Sequence, residues 1–259
     1  MNLPEINQKT KIIKQGLPRF YHGNSTCIML IHGWTGCPED LNSIGQKLNT
    51  EGGYTVDIPR LPGHGTNLKD MENTGANIWL RYVMDRYLEL SYKYEDIYMA
   101  GESMGGLICL LSAIQFKIPK IVLFAPAIAT ISKGVYWAPL LKHIIKRVPS
   151  KVDRHEQDDE DTLLYKSEYK QNTSVQTVAE LNKLIKLTRH NLSRLQSKAL
   201  VFWSKKDKSV SSKALDILNN KTPKTNIQYV ILEESGHLVT NGPEKEIVLK
   251  KTLDFFKQG

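Results

Sequence analysis

The chain has 259 residues, of which 41% are hydrophobic and 24% charged, an ordinary globular composition that excludes disordered and fibrous classes. Its longest unbroken apolar run, 121–129, is nine residues, far short of the roughly 20 that a membrane-spanning helix needs, so no stable membrane insertion is expected. The formal charge of +8 comes from scattered basic residues, mostly lysines, and is read as a solvated surface rather than a nucleic-acid or anionic-membrane site.

Residues 1–10 contain no apolar segment of the secretory kind, so the chain is read as cytoplasmic. The three cysteines, Cys27, Cys37 and Cys109, match no metal spacing, and their odd number argues against a disulfide framework. Cys27 and Cys109 lie in apolar runs and read as small core residues. The one strong charge cluster, 156–161, is acidic.

In chain order, 27–31 (Cys-Ile-Met-Leu-Ile) is too short for a helix and reads as a buried strand ending at His-Gly. A helix is predicted over 38–50, with Leu41, Ile44 and Leu48 on one face and Gly52-Gly53 as its stop. A second strand covers 54–58 and closes on the loop Leu61-Pro62-Gly63-His64-Gly65. A long amphipathic helix covers 76–92 and carries Ile78, Trp79, Tyr82, Val83, Leu88 and Leu90. The third strand, 96–100, turns through Gly101-Glu102-Ser103-Met104-Gly105-Gly106 into an apolar helix, 107–115. Residues 120–125 form a fourth strand. Two more, 199–203 and 227–232, flank a helix at 211–220. A closing helix spans 243–256, with Pro243 in its first turn. Alternating strands and helices imply an α/β fold with a mostly parallel sheet covered on both faces.

Residues 128–196 break this alternation. They hold no convincing strand, and helices are predicted at 138–148 and 175–187. The stretch is too long for a loop and reads as a small helical cap over the carboxyl ends of the strands, where open α/β sheets bind ligands. The core is then 1–127 and 197–259, with 128–196 inserted.

Gly101-x-Ser103-x-Gly105, between an apolar strand and an apolar helix, reads as a nucleophile elbow. Its glycines let backbone segments approach closely, and the following helix points its amino end at the site, favouring negative charge there. The alternative is a glycine-rich turn with an incidental serine. A serine hydroxyl needs a base. His237, after the last strand in Glu234-Ser235-Gly236-His237, is the leading candidate and His64 its rival. His32 reads as a structural residue shaping the loop His32-Gly33-Trp34-Thr35-Gly36. His22, His143, His155 and His190 read as surface or cap residues. The base needs an orienting carboxylate. Asp207 follows the strand 199–203 and gives the order Ser103, Asp207, His237; Asp216, on a helix, is weaker. Backbone N–H groups of Trp34 and Met104 are the candidate oxyanion donors.

These motifs resemble bacterial carboxylesterases and monoacylglycerol lipases of the α/β-hydrolase fold. His32-Gly33-Trp34-Thr35-Gly36 is similar to the His-Gly-Phe-Thr-Gly oxyanion loop of the thermostable carboxylesterases. Leu61-Pro62-Gly63-His64-Gly65-Thr66 is similar to their Pro-Gly-His-Gly loop, Trp79 to a tryptophan that follows it, and 101–106 to their Gly-x-Ser-Met-Gly-Gly elbow. Two residues depart: Trp34 stands where phenylalanine is usual, and Glu102 occupies the variable elbow position with no function assigned. The resemblance implies a serine esterase with an apolar pocket under cap helices, acting on short-to-medium acyl esters or monoacylglycerols without metal or cofactor. Other readings on the same scaffold are a peptidase, a thioesterase or an acyltransferase, and, from another class, a non-catalytic ligand-binding protein.

Overall fold

The structure, a computed structural model, describes residues 10–150, 160–169, 171–223 and 227–258. The elements run β1 (Arg19–Tyr21), β2 (Thr26–Ile31), α1 (Asn42–Thr50), β3 (Thr55–Ile58), α2 (Leu68–Glu72), α3 (Ala76–Ser91), β4 (Asp96–Glu102), α4 (Met104–Phe116) and β5 (Lys120–Phe124). Then come α5 (Gly134–Leu141), β6 (Arg147–Pro149), α6 (Glu160–Tyr169), β7 (Asn172–Ser174), α7 (Val175–Asn191), β8 (Lys198–Ser204), α8 (Lys213–Lys221), β9 (Ile227–Leu232) and α9 (Lys245–Lys257).

Seven strands form one sheet in the order β1-β3-β2-β4-β5-β8-β9. Only β1 runs antiparallel, against β3; the other pairings are parallel. Side chains alternate across the pleat, and each central strand feeds two cores. Cys27, Met29 and Ile31 of β2, Ile97 and Met99 of β4, Ile121 and Leu123 of β5, and Val201 of β8 pack with α3, α4 and α7. Ile28, Leu30, Ala100, Val122, Phe124, Leu200 and Phe202 point the other way, towards α1 and α9. Residues that alternate strictly between two buried faces read as unbroken apolar runs, which is why these strands were legible. Every residue from Met104 to Ala113 in α4 is buried. This is the α/β-hydrolase architecture. No helix of the described residues is long and apolar enough to cross a membrane.

Register sets the site. Ile31 pairs with Gly101, Glu102 with Phe124, Phe124 with Phe202 and Ser204 with Leu232. The strands therefore end level, and the loops after β2, β4, β5, β8 and β9 emerge along one edge. Trp79 is fully buried, and its indole N–H is satisfied by Thr74 Oγ1 at 2.9 Å and the Pro62 carbonyl at 3.1 Å, tying α3 to the loop after β3. All three cysteines are buried and unbridged. Burial, with Asp57 and Asp40 nearby, pushes the Cys27 and Cys37 thiols up to about 12, and burial alone raises Cys109.

Several expectations are corrected. Residues 128–196 do contain strands, β6 and β7, paired antiparallel. Each has three residues and β6 is fully exposed, so neither leaves an alternation to read. The helix expected at 138–148 is α5, which begins four residues earlier and ends at Leu141. Pro139, inside it, has no N–H to donate, and the chain leaves the helix to reach β6. α6, amphipathic only weakly, was not foreseen. Pro243 precedes α9 rather than lying in its first turn; the helix starts at Lys245, and Val248 N–H bonds the Glu244 carbonyl. Of the long helix's expected apolar face, Trp79, Val83 and Leu90 are buried, whereas Ile78 and Leu88 are exposed. His155 and 156–159 of the acidic cluster lie outside the described residues.

Candidate active site

β4 delivers Ser103 to the sheet edge with φ 55° and ψ −112°, a left-handed backbone strained for a side chain bearing a Cβ. The neighbours make room. A Cβ on Gly105 would meet the Ile31 carbonyl oxygen at 2.0 Å, and one on Gly101 would meet the Gly105 carbonyl at 2.4 Å. Backbone bonds hold the turn: Ser103 N–H to Phe124 O at 2.9 Å, and Ala127 N–H to Ser103 O at 3.1 Å. Met104 opens α4, so its N–H is among the donors that a helix leaves without an internal partner.

Ser103 Oγ lies 2.9 Å from His237 Nε2, and His237 Nδ1 lies 2.8 Å from Asp207 Oδ2. The carboxylate can only accept, so Nδ1 carries the proton and Nε2 offers its lone pair to the serine hydroxyl. The Asp207 side chain has no exposed surface. Its other oxygen, Oδ1, accepts the N–H groups of Ser209 at 2.7 Å and Val210 at 2.9 Å.

The His237 loop is anchored by Glu244, a residue the sequence did not single out. Its carboxylate accepts the N–H groups of Glu233, Glu234 and Ser235 at 3.0, 3.0 and 2.8 Å, and the Ser235 hydroxyl at 2.7 Å. Partial desolvation opposes its ionisation, but those donors outweigh it and hold the carboxyl down at about 2. Ser204 Oγ donates to the Ser235 carbonyl, joining the ends of β8 and β9. Glu102, which had no assigned role, is buried beside Ser103 and accepts the Thr240 hydroxyl at 2.9 Å. Burial, with Asp40 nearby, pushes its carboxyl up to about 8; the Thr240 bond only offsets part of this, and Asp207 adds to the rise. An acidic letter closing an otherwise apolar strand was the one sequence signal for it.

The other histidines separate cleanly. His32 is buried; its Nδ1 faces the Gly33 carbonyl at 3.0 Å and its Nε2 accepts the Leu61 N–H at 3.1 Å. Burial pushes its pKa down to about 4. It thus clips the loop after β2 to the loop after β3 as a neutral ring. His64 is buried against it, with ring centroids 5.0 Å apart, and bonds the Pro62 carbonyl at 3.1 Å; it is not in the serine's hydrogen-bond network. His22, His143, His190 and Asp216 are exposed.

A cavity of about 540 Å³ opens above Ser103 and His237. Gly33 and Trp34 form one wall, Asp40 and Glu102 give it an acidic side, and Val135, Tyr165 and Leu181 reach in from the segment after β5. α6 is fastened to this site: Tyr165 donates to the Thr35 carbonyl, and Tyr169 to the Gly63 carbonyl at 3.0 Å. Among the described residues, no group of three or more His, Cys, Asp or Glu side chains could hold a metal ion.

A family model described as serine aminopeptidase, S33, matches residues 23–244. A carboxylesterase of Bacillus subtilis (strain 168) is 28% identical over 242 residues, covering 93% of this chain and 96% of that protein. A thermostable monoacylglycerol lipase of Bacillus sp. (strain H-257) is 28% identical over 250 residues, covering 94% and 96%. Among solved structures, one from a study of the metagenome-derived lipolytic enzymes LipS and LipT superposes with a TM-score of 0.85 at 23% identity, over 96% of this chain and all of that one.

Proposed function

The chain belongs to the S33 serine aminopeptidase family and is an α/β-hydrolase of the esterase and lipase kind, and from that premise we propose that it hydrolyses short-to-medium acyl esters or monoacylglycerols through an acyl-enzyme on Ser103. The observation that carries this reading is the continuous relay from Ser103 Oγ to His237 at 2.9 Å and on to Asp207 at 2.8 Å.

In this mechanism His237 Nε2 takes the Ser103 proton as Oγ attacks the ester carbonyl, and Asp207 steadies the imidazolium that forms. The N–H groups of Trp34 and Met104 receive the oxyanion; each such donor lowers a barrier of this type by about 3–4 kcal/mol. The tetrahedral intermediate collapses, its C–O bond breaks, and His237 gives its proton to the departing alcohol. A water then enters, loses a proton to the same nitrogen and releases the acid, restoring Ser103. Every step uses this chain's own groups. The partition into a core, 1–127 and 197–259, and an inserted cap, 128–196, belongs to the same proposal.

The cavity supports an ester substrate. Its size falls within the range of roughly 300–1,000 Å³ common for small-molecule sites, and Val135, Leu181 and Val210 give it apolar walls. The names of the two Bacillus relatives point to the same class. The family's peptidase description makes aminoacyl amides the competing substrates.

A fluorophosphonate probe and a substrate series test the reading. Wild type should label and Ser103→Ala should not. p-Nitrophenyl esters and monoacylglycerols of graded chain length should turn over faster than aminoacyl amides. A folded wild type that takes up no probe would mark a ligand-binding protein, and faster amide cleavage would mark a peptidase.

A further inference from the structure

One side of α5 and the turn after it is apolar and bare. Trp137, Leu140, Leu141 and Ile144 follow the i, i+3, i+4, i+7 spacing of a single helical face. Lys142 N–H bonds the Ala138 carbonyl, and Ile144 and Ile145 N–H bond that of Leu141, carrying the face past the helix end. The four side chains are 61%, 65%, 37% and 84% exposed. Ile131, Ile145 and Val148 extend the exposed apolar surface in the same segment. The opposite side of α5 is ordinary core: Ala138 packs with Val175 and Ala179 of α7. Isolated exposed leucines are common on soluble proteins, but a contiguous cluster marks a contact surface.

The charge around this face is one-sided. Residues 131–150 contain Lys133, Lys142, Lys146 and Arg147 and no Asp or Glu. Arg147 is paired with Glu72 at 2.8 Å. Lys142 and Lys146 share a surface depression with Lys69. Read along the whole sequence the cations look scattered, but on this segment they border the apolar face.

We propose that this face docks the protein onto an anionic lipid bilayer. An aromatic and aliphatic stripe bordered by lysines is the composition of helices that lie in the membrane interface, with apolar side chains in the acyl boundary and ammonium groups reaching back to the phosphates. A second copy of the chain is the poorer occupant, because two-fold pairing of this face would set its lysines against their own kind. Val135, on the inner side of α5, lines the cavity above Ser103, so docking brings that cavity to the lipid surface. The docking stands on exposure and charge alone; that it delivers a lipid ester to Ser103 rests on the esterase reading.

Co-sedimentation with vesicles tests this, using phosphatidylglycerol mixed into phosphatidylcholine against phosphatidylcholine alone. Wild type should bind the anionic vesicles roughly tenfold or more tightly and release them in high salt. The double variants Leu140→Ser/Ile144→Ser and Lys142→Glu/Lys146→Glu should each lose that binding by a similar factor. Hydrolysis of a water-soluble ester should be unchanged in both, since none of the four residues lines the cavity. The proposal is overturned if wild type ignores anionic vesicles or if the apolar variant binds as well as wild type. It is also overturned if sedimentation equilibrium finds a wild-type dimer that Ile144→Ser dissociates. Wild type that binds vesicles but hydrolyses no ester would sink the esterase reading and leave the docking intact.

Discussion

A methyl group added at Gly105 would collide with the Ile31 carbonyl oxygen at 2.0 Å, whereas at Gly134, where α5 begins, the nearest atom is Ser132 Oγ at 3.4 Å. The same contrast recurs in side chains: Ile31 is wholly buried and Ile144 is 84% exposed. The floor of the site, at the strand ends, has no spare volume and few unbonded groups. The outer side of the segment above it has room and bare apolar surface. Acyl transfer requires atoms held to a fraction of an ångström, and close packing provides that rigidity. The outer segment is under no such steric constraint, so its residues answer to whatever they touch outside.

The sharpest test of the floor is Asp207→Asn. The amide keeps an oxygen for Ser209 and Val210 but presents a donor to His237 Nδ1, forcing the wrong tautomer. kcat should fall by roughly 10⁴-fold with the fold intact, measured as single-turnover ester hydrolysis; a loss of less than about tenfold would remove Asp207 from the mechanism.

Gly105→Ala attacks the packing itself. It should destabilise the protein by about 3 kcal/mol or more, read from the urea midpoint. Gly134→Ala is its control. With space available and helix propensity improved, it should change stability by less than about 1 kcal/mol, in the stabilising direction. Equal effects at the two positions would erase the contrast.

Glu244→Ala strips the acceptor from three backbone amides of the His237 loop. Its expected cost is about 1–3 kcal/mol, with a fall in kcat larger than any rise in KM. The wild-type carboxyl is held at about 2 against an ordinary 4.5. Its stabilisation is therefore complete above pH 4.5 and fades as pH drops towards 2. Thermal melts of the variant should show a shallower acid-side decline than wild type.

Glu102→Gln should act in the opposite pH range. The native state keeps the Glu102 proton up to about 8, while an unfolded chain releases it near 4.5. The native state binds more protons between those values, so its stability falls as pH rises from about 4.5 to about 8. Glutamine retains an oxygen for Thr240 and removes the titration, so the variant's melting temperature should decline less over that interval. An unchanged slope would show that Glu102 is ionised when folded.

How far the sequence reached follows the same division. β2, β4, β5 and β8 are short apolar runs bounded by turn residues, and Ser103, Asp207 and His237 sit in the loops that those and the last strand produce. The structure brings the three together as their order suggested. The segment after β5 was less legible. Its apolar letters run on through Pro139 and past Leu141, so hydropathy placed a helix too late. β6 and β7 pair through backbone groups of exposed or polar residues, which have no hydrophobic signature. Glu244 escaped for a related reason: its partners are amide N–H groups, and every residue but proline has one. Glu102 was visible as an anomaly, yet only the fold places Thr240 against it.

The three sequestered thiols carry a practical consequence. With every native sulfur enclosed and held in its unreactive form, maleimide chemistry has no native target on the folded protein. A variant such as Ile144→Cys would then offer a single attachment point for an environment-sensitive fluorophore. That reporter would read contact between α5 and its surroundings in real time while leaving the serine, histidine and aspartate chemically untouched.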